Sequence, residues 1–286
     1  MKIIVTGGTS FIGSHFLKLA LKSGHEVVAL RRSGSTPRIP LPQEPRWLES
    51  PASPFTLPPS DLHDAVLVHL AAHGVSPQTC TWEEAFRFNV TESLSLFTRA
   101  LEAGVRRFVI CGSCVEYGKS AERYEAVPPD APLEPVGSYA ASKAAQSIAA
   151  AALGRESHSE FVILRPFTVF GEGQNASNFW PSLRKAALSD EDFPMTPGEQ
   201  IRDFIPVENV ANAFLSACLR DDLLPGRPVV ENIGTGHPQS LRDFAGFWWK
   251  HWNASGKLLV GALSYRPKEV MRYVPLIETP NSCGSI

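Results

Sequence analysis

A phenol and an ammonium stand four residues apart in an alanine-rich run of the sequence. They belong to Tyr139 and Lys143. Side chains at this spacing are neighbours on a helix, and a nearby ammonium favours the phenolate, which lowers the phenol pKa from its usual value of about 10. A phenol tuned in this way can donate and accept protons near neutral pH. The pair therefore predicts an acid–base group, with an ordinary surface pair as the alternative.

A glycine-rich turn joins a predicted strand to a predicted helix at the amino terminus. Residues 2–6 form a short β-branched run typical of a buried strand, and residues 14–22 show helical periodicity. In this setting Gly7 permits the tight turn, Gly13 permits close packing of helix and strand, and the helix offers free amides to a pyrophosphate. We therefore expect a dinucleotide cofactor at this turn. The expected contacts are Gly7, Ser10, Phe11, Ile12 and Gly13.

The adjacent arginines Arg31 and Arg32 follow the second predicted strand, residues 25–30. An NAD-binding domain usually carries an acidic residue here for the ribose hydroxyls, whereas arginine suits a 2′-phosphate. The pair favours NADPH (or NADP) over NAD, and a solvated pair at a strand end is the alternative. Beyond it, residues 33–59 are rich in proline, which indicates an irregular loop with one short strand near residues 46–48.

The apolar run 65–72 predicts a buried strand that ends in small residues. This end would let a cofactor backbone approach, and the expected contacts are Leu70, Ala71 and Ala72. His69 lies inside the run and is expected to be a core histidine. His73 and Ser76 follow it, where open α/β sheets bind ligands, and they are candidate substrate contacts.

Another buried strand, residues 107–111, ends close to Ser113. A serine at such a strand end is usually a turn former, but its hydroxyl can also face Tyr139 and hold a substrate oxygen. Residues 82–103 predict a helix that Gly104 would end with a left-handed cap. Asn89, near the centre of this helix, is expected to tether the helix to a strand.

The composition is that of an ordinary globular protein of 286 residues, with 43% hydrophobic and 20% charged residues. The net charge of −2 gives no indication of nucleic-acid or membrane binding. The five cysteines have neither metal-site nor disulfide spacing, which fits reduced thiols, and no metal is expected. The sequence begins with a strand instead of a charged leader, and no apolar run approaches the roughly 20 residues of a membrane span. We expect a cytoplasmic protein.

In this order, the motifs resemble the extended short-chain dehydrogenase/reductase family of the NAD-dependent epimerase/dehydratase type, which includes nucleotide-sugar epimerases, 4,6-dehydratases and 4-keto reductases. The resemblance rests on the glycine turn, the His-Leu-Ala-Ala strand end, Ser113, Tyr139 with Lys143, and Arg165-Pro166-Phe167. It implies an α/β fold with a Rossmann-type, doubly wound parallel sheet and a smaller carboxyl-terminal substrate-binding lobe. The dinucleotide-binding domain would comprise residues 1–170 and 207–235, and the lobe residues 171–206 and 236–286.

The resemblance also implies roles for the matched positions. Tyr139 would be the catalytic acid–base, Lys143 would hold the nicotinamide ribose and lower the pKa of Tyr139, and Ser113 would polarise the reacting oxygen. Phe167 and Val169 lie in the segment whose backbone meets the nicotinamide amide.

Substrate contacts are implied for a further group of residues. Arg202 would bind the diphosphate through its planar donor fork, and Arg266 is a second candidate. For each arginine a surface salt bridge is the alternative. The other implied contacts are Cys114 and Asn178.

Three departures from the family pattern matter, one of which is Thr168, where an asparagine is common. Ser10 replaces the middle glycine of the turn. Cys114 and Val115 stand where the dehydratases carry an acidic pair that protonates the leaving group and abstracts the C5 proton. Because neither side chain can do that work, the dehydratase interpretation is disfavoured.

The leading hypothesis is therefore an NADPH-dependent reductase of a nucleotide-linked 4-keto-6-deoxysugar. The alternative within the family is an NAD-dependent nucleotide-sugar 4-epimerase. From another class of protein, the alternative is a non-catalytic dinucleotide-binding protein. The expected partner besides the substrate is a second copy of the chain, in a homodimer.

Overall fold

The computed structural model describes residues 1–50, 65–74 and 80–277. Its strands are β1 (Lys2–Thr6), β2 (Glu26–Arg32), β3 (Arg46–Ser50), β4 (Ala65–His69), β5 (Arg107–Cys111), β6 (Glu160–Pro166), β7 (Thr168–Phe170), β8 (Phe193–Met195), β9 (Ile201–Pro206), β10 (Val229–Ile233), β11 (Pro238–Ser240), β12 (Leu258–Val260) and β13 (Arg272–Tyr273). Its α-helices are α1 (Phe11–Lys22), α2 (Trp82–Phe86), α3 (Ser93–Glu102), α4 (Ser138–Glu156), α5 (Phe179–Leu188), α6 (Val207–Leu219) and α7 (Leu241–His251).

Seven of the strands form one sheet in the order β10-β6-β5-β4-β1-β2-β3, and every pairing in it is parallel. A parallel sheet requires helical cover on both faces, which explains why its strands are continuous apolar runs. The prediction of a Rossmann-type doubly wound sheet is confirmed. The short strand expected near residues 46–48 is present as β3 at the sheet edge.

Two buried clusters fill the space on either side of this sheet. On one face, Phe16 of α1 and Phe214 of α6 pack with strand residues such as Val5. On the other, Phe97 of α3 and Ala150 of α4 pack with strand residues such as Ile4. The alternation of strand side chains between the two faces supplies both layers.

Smaller sheets lie outside the main one. Strands β11, β9 and β13 form one of them, with β7 paired to β9, and β12 pairs with β8. Helices α5 and α7 pack together through Leu183 and Ala245, with Met195 of β8 in the same cluster. These elements come mostly from the segments expected to form the substrate lobe.

The helix predicted over residues 82–103 is interrupted by a π-helical turn at Arg87–Glu92, between α2 and α3. Thr81 begins the helix with a capping box that it shares with Glu84. Gly104 has φ +99° and ends it as expected. No helix in the described part of the chain is long and apolar enough to cross a membrane.

Candidate active site

The glycine turn forms a cradle with no room for side chains at Gly7 and Gly13. Gly7 has φ +72°, and a Cβ there would lie 2.5 Å from the amide nitrogen of Ala71. A Cβ at Gly13 would lie 2.0 Å from the carbonyl oxygen of Gly7. Strand, turn and helix are therefore in close contact, and the first amides of α1, at Phe11 and Ile12, lie beside the turn. This cradle fits a dinucleotide pyrophosphate.

Ser10 has a structural role that the sequence comparison with the family pattern did not predict. It is the N-cap of α1, where its hydroxyl accepts a hydrogen bond of 3.2 Å from the amide of Gly13. The Ser14 hydroxyl donates to the Ser10 carbonyl at 2.7 Å and accepts from the amide of Arg38 at 2.8 Å. Ser10 thus stabilises the turn, which a glycine at the same position would leave more flexible.

Arg31 and Arg32 lie at the carboxyl end of β2. The Arg31 guanidinium stacks on Trp47, 4.9 Å from the ring centroid, and pairs with Glu49 at 3.2 Å. Arg32 is exposed. An acidic group is therefore present beside the arginines, contributed by β3, and it partly neutralises Arg31.

The other predicted cofactor contacts line the carboxyl ends of neighbouring strands. Leu70 is buried, and its amide donates to the Thr6 carbonyl at 3.1 Å. Ala71 donates to the Thr6 hydroxyl at 3.4 Å, and Ala72 is exposed. The buried Phe167 donates from its amide to Ile233 at 2.9 Å, and Val169 lies in β7.

Tyr139 lies in the first turn of α4, two residues after the N-cap Gly137, whose φ is +88°. The Ser138 hydroxyl anchors this turn by donating to the Cys80 carbonyl at 2.9 Å. Tyr139 is half-buried, and the nearby Ser113 hydroxyl acts to lower the pKa of its phenol. The structure therefore brings the two predicted catalytic hydroxyls together.

The predicted lowering of the Tyr139 pKa is wrong for the protein alone. Burial raises the pKa of Tyr139, with smaller contributions in the same direction from Cys111, Glu116 and Cys114, against a lowering by the Ser113 hydrogen bond. Desolvation disfavours the charged phenolate, and it is the largest cause of the shift. At neutral pH this phenol keeps its proton.

Lys143 is buried, and its ammonium donates to the Cys111 carbonyl at 2.6 Å and to the side-chain oxygen of Gln146. Both acceptors are neutral, and burial lowers the pKa of Lys143. Gln146 was not predicted. Its position one turn after Lys143 on the same helix face was the available signal.

Gln146 connects Lys143 to a buried polar network. Its amide nitrogen donates to the Asn89 carbonyl at 2.6 Å and to the Ser93 hydroxyl at 2.9 Å. His69, as predicted a core histidine with hydrogen-bond partners, lies 2.8 Å from the Thr6 hydroxyl and 3.0 Å from the Ser93 hydroxyl. Burial, together with the charge of Lys143, lowers its pKa to about 3. His69 is therefore neutral.

Asn89 is the tether that the sequence predicted. Its side chain accepts from the amide of His73 at 2.8 Å and donates to the carbonyl of His73 at 3.0 Å. It also donates to the Ser142 hydroxyl at 2.9 Å. These contacts fix the backbone of His73 beside α4. Ser76, the other candidate in this loop, lies outside the described residues.

Glu116 fixes the backbone of Ser113. Its carboxylate accepts from the Ser113 amide at 2.8 Å and forms a buried ion pair of 2.8 Å with Arg165. Arg165 also donates to the Tyr117 hydroxyl at 2.9 Å. No local sequence pattern indicated this pair, because Glu116 and Arg165 are far apart along the chain.

Cys114 and Asn178, two of the predicted substrate contacts, lie at helix starts. Cys114 is buried in a short 3-10 turn after Ser113, and burial raises its thiol pKa to about 12. Asn178 is the N-cap of α5. The structure does not show these two residues in contact with the catalytic hydroxyls.

Arg202 and Arg266 are in different environments. Arg202 is largely buried, pairs with Glu269 at 2.8 Å, and donates to the Val270 carbonyl at 2.8 Å. It lines a cavity of about 150 Å³ together with Phe204. Arg266 is exposed on the loop after β12. The salt bridge considered as an alternative for Arg202 is thus present.

The comparison with known families decides the classification. The sequence pattern described as "NAD dependent epimerase/dehydratase family" matches residues 3–234. The chain belongs to this family. Its resemblance to the extended short-chain dehydrogenases/reductases is therefore confirmed.

Two named relatives align with most of this chain. A CDP-abequose synthase of Salmonella muenchen is 30% identical over 275 residues, which is 94% of this chain and 87% of the relative. A UDP-glucose 4-epimerase of Lactobacillus helveticus is 24% identical over 261 residues, which is 84% of this chain and 78% of the relative.

Solved structures agree with the fold. An NAD-dependent NDP-hexosamine 5,6-dehydratase of tunicamycin biosynthesis superposes with a TM-score of 0.82 at 30% identity, over 96% of this chain and 88% of the other. MoeE5 in complex with UDP-glucose and NAD gives 0.82 at 28% identity, over 99% and 92%.

Proposed function

We propose that this family member is an NADPH-dependent reductase of a nucleotide-linked 4-keto-6-deoxysugar. The observation that carries the proposal is a protonated phenol, Tyr139, beside the Ser113 hydroxyl at the carboxyl edge of the sheet. A ketone reductase needs a proton donor at the carbonyl oxygen, and Tyr139 carries its proton at neutral pH because burial raises its pKa. The similarity to a CDP-abequose synthase fits this direction.

In the proposed reaction, the reduced nicotinamide supplies hydride to the ketone carbon. Tyr139 donates its proton to the ketone oxygen as the carbon–oxygen double bond is reduced to an alcohol. The Ser113 hydroxyl donates a hydrogen bond to the oxygen as negative charge develops on it. Lys143, one helical turn after Tyr139, would stabilise in its charged form the phenolate that is left after the transfer.

The cofactor assignment to NADPH rests on Arg31 and Arg32. A 2′-phosphate beside them would meet a guanidinium whose present partner is Glu49, and arginine binds phosphate through two parallel donors. Several structures of relatives contain NAD, so NAD is the alternative. The glycine cradle accommodates either dinucleotide.

The substrate is proposed to bind between the two parts of the fold. We propose the division into a dinucleotide domain of residues 1–170 and 207–235 and a lobe of residues 171–206 and 236–286. Arg202 would then bind the diphosphate in exchange for part of its pairing with Glu269. MoeE5 was solved with UDP-glucose, which supports a nucleotide sugar. A homodimer and a cytoplasmic location remain predictions.

The second candidate is a nucleotide-sugar 4-epimerase. UDP-glucose 4-epimerases are more numerous among the relatives than CDP-abequose synthases. A 4-epimerase must first remove a proton from a hydroxyl, which a phenol of raised pKa does less readily. A dehydratase is disfavoured because Cys114 and Val115 supply no carboxylate. A non-catalytic dinucleotide-binding protein is the third candidate.

The deciding experiment incubates the purified protein with NADPH and candidate nucleotide-linked 4-ketosugars. Reduction consumes NADPH in proportion to the alcohol formed. Formation of a 4-epimer from a nucleotide-linked sugar without net change in the cofactor would instead identify the epimerase.

Tyr139→Phe tests the role of the phenol. It should leave cofactor binding intact and lower turnover by about 10²–10⁴-fold, the usual contribution of a positioned proton donor. Tyr265→Phe is the matched control, because the Tyr265 hydroxyl bonds Glu199 instead. Unchanged turnover in Tyr139→Phe would refute the mechanism, whereas cofactor binding without turnover in the wild type would favour the non-catalytic alternative.

A further inference from the structure

Three side chains of different chemistry converge beside Tyr139. An imidazole nitrogen of His73, the sulfur of Cys80 and a carboxylate oxygen of Glu84 all lie within 4.8 Å of one another. Among the residues that the structure describes, this is the one such group of metal-ligating side chains. The reaction proposed above does not use Cys80 or Glu84.

The backbone positions of His73 and Cys80 are fixed by hydrogen bonds. Both the amide and the carbonyl of His73 are bonded to the Asn89 side chain. The His73 ring packs on Phe88 with centroids 4.8 Å apart. The Cys80 carbonyl accepts from Ser138, the residue before Tyr139. The two candidate metal ligands, His73 and Cys80, are therefore held against the start of α4.

The third donor is held in its ionised form. One carboxylate oxygen of Glu84 accepts from the amide and the hydroxyl of Thr81, at 3.1 Å and 3.0 Å. These hydrogen bonds lower the pKa of Glu84. A carboxylate has two oxygens, so the capping role leaves acceptor capacity for a ligand.

Nitrogen, sulfur and oxygen donors together are the ligands that zinc accepts in tetrahedral sites, whereas Mg²⁺ and Ca²⁺ select oxygen alone. We propose that His73, Cys80 and Glu84 bind a zinc-like divalent cation, with water in the fourth position. Binding exchanges the Cys80 thiol proton for the metal and requires a neutral imidazole.

The site lies against the catalytic phenol. A Cβ placed on Gly74 would be 3.0 Å from the Cys80 sulfur and 3.6 Å from a ring carbon of Tyr139. A cation held there would narrow the approach to Tyr139 and inhibit turnover. This consequence rests on the proposed function, whereas cation binding itself does not.

The experiment measures zinc binding without any assay of turnover. The full chain is dialysed against Zn²⁺, its metal content is determined by mass spectrometry, and affinity is obtained by competition with a chromogenic chelator. The wild type should retain about one zinc per chain. Cys80→Ser and Glu84→Gln should each weaken binding by at least about tenfold, since even residues that only orient a ligand contribute that much.

Two matched variants serve as controls. Glu83→Gln changes the neighbouring carboxylate, and Cys283→Ser removes a cysteine far along the sequence. Glu84→Gln preserves the helix start, because glutamine also completes a capping box. Substitution by Co²⁺ gives a second readout, a sulfur-to-cobalt charge-transfer band that should disappear in Cys80→Ser and persist in Cys283→Ser.

The proposal would be overturned if the wild type retained no more zinc than the Cys80→Ser variant. Equal weakening in Glu83→Gln and Glu84→Gln, or a cobalt band that survives in Cys80→Ser, would also overturn it. If zinc binds as expected but does not slow turnover, the site stands and its inhibitory consequence is refuted.

Discussion

The side-chain oxygen of Gln146 accepts a buried hydrogen bond from the ammonium of Lys143. The orientation of this amide is fixed from the other side, since its nitrogen donates to Asn89 and Ser93. If the oxygen and nitrogen of the Gln146 side chain were exchanged, an N–H group would face the ammonium, which also has only donors to offer. Gln146 is therefore the residue that positions Lys143 without adding a charge.

Replacing Gln146 by glutamate tests this relationship. A carboxylate stabilises the ammonium, so the pKa of Lys143, now lowered by burial, should rise by about 1–3 units. If turnover requires charged Lys143, activity should persist to correspondingly higher pH. The measurement is the pH profile of kcat.

Gln146→Leu is the matched variant for this experiment. Leucine has a similar size but accepts no hydrogen bond from Lys143. We therefore expect kcat to fall, and the high-pH limb of the kcat profile should not shift to higher pH. Superimposable pH profiles for Gln146→Glu and the wild type would show that Gln146 has only a structural role.

The ion pair between Arg31 and Glu49 bears on cofactor choice. Glu49→Gln should free the guanidinium for a 2′-phosphate and improve NADPH affinity relative to NADH by up to about fivefold, the value of an exposed ion pair. Arg31→Ala should weaken NADPH far more than NADH. Glu26→Gln, at the other end of β2, is the control. Equal effects on both cofactors would contradict the NADPH assignment, and binding is measured by nucleotide fluorescence.

The buried His69 predicts a specific pH dependence of stability. Its pKa is lowered to about 3 in the folded chain, whereas an unfolded chain would titrate near 6.5. Below about pH 6.5 the unfolded state binds a proton that the folded state does not, so stability decreases as the pH falls, by about 1.4 kcal/mol per unit, until about pH 3.

His69→Gln should remove this contribution. The loss of unfolding free energy between pH 7 and pH 5, measured in urea, should be about 2 kcal/mol smaller in the variant than in the wild type. His237→Gln changes an exposed imidazole and should retain the wild-type loss. Identical losses in all three proteins would mean that His69 is not held neutral.

The Glu116–Arg165 pair predicts a large effect on stability. Arg165→Met leaves the fully buried Glu116 carboxylate without its cation and should lower the free energy of unfolding by about 3–5 kcal/mol. The exposed pair Arg123–Glu134 provides the control, because Arg123→Met should cost less than about 1 kcal/mol. Adding Glu116→Gln to Arg165→Met should recover part of the loss. A loss of under 1 kcal/mol in Arg165→Met would contradict this account.

Local sequence signals predicted the features that depend on local structure. The glycine turn, the strand ends and the Tyr139–Lys143 spacing are each readable within a few residues, because backbone sterics and helical periodicity determine them. The Asn89 tether followed from a polar residue near the middle of an apolar helix. The Rossmann-type sheet was implied by the family resemblance that these motifs carry, and the structure confirms it.

Features that depend on distant packing were not predicted. The direction of the Tyr139 pKa shift depends on how much water the fold removes, which no spacing of two residues encodes. The partners of Arg31 and Arg165 come from neighbouring segments of the folded chain. The ion pair of Arg202 joins β9 to residue Glu269, and composition alone could not distinguish it from a free phosphate-binding arginine.

The π-helical turn at residues 87–92 is equivalent to one additional amino acid in an otherwise regular helix. Removing that amino acid would rotate the preceding helical segment by about 100° relative to the part that follows. Asn89 and Ser93 then could not both face α4, so the loop that carries His73 would lose its anchor and Gln146 would lose the Asn89 carbonyl as an acceptor. The length of this single turn therefore sets the positions of both the loop that carries His73 and the hydrogen-bond network next to Lys143.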